Sequence, residues 1–162
     1  MSVMIIEGPN YLDTFEELAA QKGWELERHE SGEIHLCLGI RGSTLYVSVT
    51  ELSAYEALHF AFVADFKVPK RRHFQMQKLI RIINEHLWVG HFDLYVGPRE
   101  VMFRHALLLA GQDSVAEACE GIMAFGRTTW ERYLPALVMV ADNVATPEDA
   151  LQFIRFDTDG SA

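Results

Sequence analysis

An α+β fold, in which a twisted antiparallel sheet of five or six strands packs against helices, is predicted by three features of the sequence. Apolar residues recur at helical spacing behind good caps in some stretches. They alternate with polar residues at period two in others, and the alternating stretches follow one another across short turns. The chain has 162 residues, 49% of them hydrophobic, enough to fill one sizeable core. A single domain over residues 1–156, with a frayed tail at 157–162, is therefore expected.

Asn10 is placed to cap a first helix from Tyr11 to Lys22, with Leu12, Phe15, Leu18 and Ala19 on one stripe and Gly23 as its stop. From Trp24 the period changes to two. Ile34, Leu36, Leu38 and Ile40 alternate with Glu33, His35, Cys37 and Gly39, the pattern of a half-buried strand, and Glu25–His29 is a candidate extra strand. Gly42-Ser43 suits a two-residue type II′ turn with Arg41 facing Thr44. That turn sets Ile40 opposite Leu45, Leu38 opposite Val47 and Leu36 opposite Val49, so every large aliphatic group falls on one face. Ala57–Phe66 continues the period as a further strand, with Leu58, Phe60, Phe62 and Ala64 on the same side.

Pro69 fits a first helical turn, and Met76, Leu79, Ile80, Ile83 and Leu87 predict a second helix over about Lys70–Leu87. His91–Val96 and Val101–Ala110 predict a hairpin around Gly97-Pro98-Arg99-Glu100, a register that places Asp93 opposite Arg104. Ser114-Val115-Ala116-Glu117 has the form of a capping box, opening a long third helix through Tyr133 in which Gly126 allows close packing. Pro135 is expected to interrupt it before another apolar turn to Met139. Thr146 as cap and Pro147 at the first position predict a short last helix to about Phe156.

The net charge of −9 argues against nucleic acid and anionic lipid as partners, because both attract clustered Lys and Arg. Lys67, Lys70, Arg71 and Arg72 are a local exception, and their plainer reading is a solvated helix start. Cys37 and Cys119 have no CxxC spacing and are expected to be buried free thiols. Met1–Asn10 lacks the pattern of a leader, and no run approaches a membrane span, so a cytoplasmic location is expected.

Two runs, Ile83-Asn84-Glu85-His86-Leu87-Trp88-Val89-Gly90-His91-Phe92-Asp93-Leu94 and Val101-Met102-Phe103-Arg104-His105-Ala106-Leu107-Leu108-Leu109, resemble the YbjN family of bacterial proteins, named as sensory transduction regulators. The order of elements is similar along nearly the whole chain. The resemblance implies a fold like that of the type III secretion chaperones, which pair up and bind extended client segments. It implies no catalytic residues.

The residues themselves offer little chemistry. His91, Asp93, Arg104 and His105 look like a site, but His105 points to the opposite face and Arg104 would repel a metal cation; a structural Asp93–Arg104 pair is the better account. The alternative function, a metal-dependent enzyme or sensor, would rest on His35, His59 and His91, which share a face. No nucleophile elbow, activated cysteine or phosphate-binding glycine loop is present, and no cofactor is expected. Trp24, Trp88 and Trp130 read as core or edge packing. The face opposite the aliphatic one mixes small, aromatic and hydrogen-bonding groups, as recognition surfaces do. Its Tyr46, His59, Asp93, Tyr95, Met102 and Arg104 are the candidate partner-binding residues of a non-catalytic, protein-binding or regulatory module. Phe74 and Ile82 on the second helix, and Met123 and Phe125 on the third, fall outside the core stripes and are candidates for a homodimer interface.

Overall fold

A computed structural model describes residues 10–159, with side chains as far as Arg155; the expectations for residues 1–9 and 160–162 lie outside the described residues. The chain opens with helix α1 (Tyr11–Lys22), whose first N–H groups are capped by the Asn10 side chain, Oδ1 accepting from Leu12 at 3.2 Å and Asp13 at 3.4 Å. Three strands follow, β1 (Leu26–His29), β2 (Glu33–Ile40) and β3 (Ser43–Leu52), then β4 (Ala57–Ala64). Helix α2 (His73–Asn84) is preceded by a 3-10 turn at Lys70–Arg72 and leads to the hairpin of β5 (His91–Tyr95) and β6 (Glu100–Leu108). Helices α3 (Val115–Ala141) and α4 (Pro147–Asp159) close the chain, α4 passing the expected end at Phe156.

All six strands form one antiparallel sheet in the order β1-β2-β3-β4-β6-β5. The hairpin enters the sheet by its second strand, so β4 and β6 are central neighbours and β5 is an edge. Helices cover one face only. Ile34, Leu45, Val49, Leu58, Phe60, Phe62 and Phe103 point into them and are at most 0% exposed. Phe15 of α1 meets Phe60 edge-on, and Phe92 stacks edge-on against Phe103, Trp130 and Tyr133. The buried indole of Trp130 donates to the Phe62 carbonyl at 3.1 Å, so its one polar atom is satisfied. Gly126 lets α3 approach the sheet: a Cβ there would stand 2.5 Å from the Phe62 ring.

The β2–β3 and β5–β6 hairpins each turn one residue earlier than the glycine pattern predicts. The β2–β3 loop is Arg41-Gly42, both at positive φ (37° and 74°), which is the type I′ geometry and replaces the expected Gly42-Ser43 turn. Leu36 therefore faces Val47, and Leu38 faces Leu45. The β5–β6 loop is likewise Val96–Arg99, with Arg99 at φ 60°, so Asp93 lies opposite Met102, and Arg104 lies opposite His91. In each case an arginine occupies the left-handed conformation usually left to glycine. The shift moves each partner by two residues and so keeps every side chain on its expected face.

Pro135 does not end α3, which continues unbroken to Ala141. An interior proline costs about 3 kcal/mol. Tyr133, Leu134, Ala136, Leu137 and Val140 are all buried around it, and burial of a large apolar side chain contributes about 1.5–3 kcal/mol, which offsets that cost. The end of α3 is tied to the start of α2 by Arg72, whose Nε donates to the Val140 carbonyl at 2.8 Å. Lys67 pairs with Glu100, so two of the four basic residues are tied into structural contacts while Lys70 and Arg71 stay exposed. Three further expectations are corrected. Cys37 is exposed because it alternates onto the uncovered face of β2; Trp88 is 99% exposed in the α2–β5 connection; and Met123 is buried on the inner side of α3, leaving Phe74 and Phe125 as the exposed aromatics among the four interface candidates.

Candidate binding face

The uncovered face of the sheet follows from the register. Across its second row lie Glu27, His35, Ser48, Ala61, Arg104 and His91, and across the next lie Cys37, Tyr46, Val63, Met102 and Asp93. His59 sits between Thr50 and Ala106 in the row above. The six candidate residues thus share one surface. Arg104 organises its β5 side: Nη1 donates to the Tyr95 hydroxyl at 2.9 Å and stands 3.9 Å from Asp93 Oδ2, which is also 3.9 Å from His91 Nε2. The expected Asp93–Arg104 pair therefore exists as a loose diagonal contact.

His59, half-buried and beside Arg104, has its pKa lowered by burial first and then by the neighbouring Arg104, His91 and His105. Its Nε2 is enclosed without a hydrogen-bond partner. The neutral imidazole is favoured because the cation would be desolvated near another cation. His105 lies on the covered face and is lowered in the same way, by burial and then by His91.

A metal centre at His35, His59 and His91 is not assembled. A whole strand separates each histidine from the next, about 10 Å at ordinary strand spacing. His35 Nε2 instead turns to Glu33 Oε1 at 3.0 Å. Among the described residues no three His, Cys, Asp or Glu side chains converge as ligands. No helix among them is long and apolar enough to cross a membrane.

A hollow of the face lies toward β1, away from most of the candidate residues. There a concavity of about 480 Å³ is lined by Glu25, Glu27, His35, Cys37 and Tyr46 over a floor of Ser48, Ala61 and Val63. Sequence reasoning missed Glu25, Glu27 and Cys37 as site residues. The alternation of β2 placed Cys37 on this face, but the wall exists only because β1 pairs with β2 and the sheet twists over it.

The two edges of the sheet differ. On β5 the Asn84 side chain of α2 mimics a neighbouring strand, its Nδ2 donating to the Phe92 carbonyl at 2.9 Å and its Oδ1 accepting from the Phe92 N–H at 2.8 Å. That contact protects the β5 edge. At the other edge β1 pairs only with Glu33–Leu36, leaving Cys37–Ile40 paired on the β3 side alone.

With this geometry the comparisons with known proteins fall into place. The model of the YbjN family, described as "Putative bacterial sensory transduction regulator", matches residues 11–139. The chain belongs to the YbjN family. No curated protein matches it. Among solved structures, a chain of the ExsC–ExsE complex is 21% identical at a TM-score of 0.57, covering 76% of this chain and 92% of its own. A chain of the HopA1–SchA chaperone–effector complex is 13% identical at a TM-score of 0.53, covering 76% and 91%. YbjN from E. coli is 13% identical at a TM-score of 0.57, covering 86% and 92%. These likenesses establish the type III secretion chaperone-like fold that the YbjN resemblance implies.

Proposed function

We propose that this YbjN-family chain is a non-catalytic, cytoplasmic regulatory module that holds a segment of another protein on its uncovered sheet face, and that it works as a homodimer. The observation that carries the reading is the face itself. One side of a six-stranded sheet is left without helices, yet its central residue Ala61 is only 4% exposed because the surface is concave. Around it stand Tyr46 at 47% exposure, Tyr95, Met102 and Arg104, the residue types that dominate binding energy at protein interfaces. The complexes formed by proteins of the same fold support a protein partner by analogy.

The dimer reading rests on Phe74 at 74%, Trp88 at 99% and Leu108 at 64% exposure, large apolar groups that a lone subunit would leave in water. Affinity capture from native bacterial cytoplasm, with wild type and with Tyr46→Ala/Arg104→Ala, tests the binding face. Loss of partners in the double variant is expected, and an unchanged partner set would refute the reading. Light scattering checks the dimer, which a monomeric mass would exclude.

A further inference from the structure

We infer that the concavity beside β1 takes a segment that sets an aliphatic side chain on its floor and a lysine or arginine against Glu25 and Glu27, so that the partner is a basic-apolar peptide region of another protein. This inference rests on the binding-face reading above and names the chemistry of its occupant.

The floor is made of small and largely apolar side chains: Ser48, Ala61 and Val63 lie side by side on β3 and β4, with the Tyr46 ring rising beside them. A cavity of about 480 Å³ over such a floor has room for a branched aliphatic side chain together with its neighbours along the segment. The outer wall is acidic. Glu25 and Glu27 are exposed and have no ion-pair partner among the described residues, unlike Asp13 and Glu16, which share Arg28 on the other side of the same strand. The nearest base in the wall, His35, is opposite Glu27 but turns to Glu33 at 3.0 Å. Two carboxylates therefore flank a largely apolar floor with no cation among the described residues paired to them. A basic residue adjoining the aliphatic one supplies that cation.

The same charges argue against the other occupants. A second copy brings a net charge of −9 toward an acidic wall, and nucleic acid brings phosphates. Cys37, exposed in the wall, offers a reporter inside the site.

The test uses the full chain and two fluorescein-labelled peptides of equal length, one alternating leucine with lysine and one alternating leucine with glutamate, read by fluorescence anisotropy. The iodoacetamide modification rate of Cys37 is followed in parallel. The lysine peptide should bind and slow Cys37 modification at least threefold, and the glutamate peptide should do neither. Glu25→Gln/Glu27→Gln should weaken the lysine peptide about 3- to 10-fold, as two surface ion pairs would. Ser48→Leu, which fills the floor without touching the charges, should abolish binding while the urea midpoint stays near wild type. Equal binding of both peptides, no binding of either, or an unaltered affinity in the glutamine variant would each overturn the inference. Partner capture separates this failure from that of the broader reading. Partners that depend on Tyr46 and Arg104 but are indifferent to Glu25→Gln/Glu27→Gln refute the charge inference alone, whereas partners indifferent to all four residues refute the binding face.

Discussion

Helix α3 carries two glycines whose replacement by alanine should act in opposite directions. Each substitution removes a glycine from a helix interior, which stabilises by about 0.8–1.0 kcal/mol. At Gly121 a new Cβ would meet nothing within 4 Å, so the propensity gain stands alone. At Gly126 it would lie 2.5, 2.7 and 2.8 Å from three atoms of the Phe62 ring, roughly 1 Å inside normal carbon–carbon contact. Phe62 cannot swing aside, because it is 0% exposed and tilts against Phe103 at 5.9 Å between ring centres. Overpacking of this kind costs about 1–3 kcal/mol, and three simultaneous close contacts place it at the upper end. Gly121→Ala should therefore gain about 1 kcal/mol and Gly126→Ala should lose about 2. The propensity term cancels in the difference between the two variants, leaving the packing term near 3 kcal/mol. Urea unfolding with a common m-value measures it, and melting should separate the variants by about 6–12 °C at 2–4 °C per kcal/mol. If Gly126→Ala matched Gly121→Ala in stability, α3 would not approach β4 as closely as this packing requires.

Three other outcomes follow from local chemistry. Burial pushes the Cys119 thiol up to about 12, so at pH 8 a thiol reagent should modify Cys37 and leave Cys119 untouched until the chain unfolds, as mass spectrometry after timed labelling would show. His59 and His105 are held below the usual imidazole value of about 6.5, so the unfolded chain binds protons that the folded chain refuses. Their contribution should be intact above pH 6.5 and lost as pH falls below it, and His59→Gln/His105→Gln should flatten that part of a stability–pH curve; an unchanged slope would contradict the assignment. Asn84→Ala removes both side-chain bonds to Phe92 and should cost about 1–3 kcal/mol, with the Phe92 amide exchanging faster than its neighbours in β5.

Within the described residues, the alternation of β2, β3 and β4 and the caps at Asn10, Ser114 and Thr146 were legible in the sequence because each depends on neighbours a few residues apart. For the same reason parity survived the misplaced turns: moving a hairpin by one residue at its tip shifts partners by two, which leaves Leu36, Leu38 and the residues facing them on the aliphatic side. Which arginine accepts positive φ was not legible. Arg41 and Arg99 bear the cost of that conformation because the strands they join are held by the rest of the sheet. Strand order, the insertion of β6 between β4 and β5, and the closing of the β5 edge by Asn84 are long-range choices made by packing. So is the candidate site. Composition and period put Tyr46 and Arg104 on one face, but only the pairing of β1 with β2 and the curvature of the sheet bring Glu25, Glu27 and Cys37 around Ala61, since the depth of a surface is a property of the assembled strands and of no strand alone.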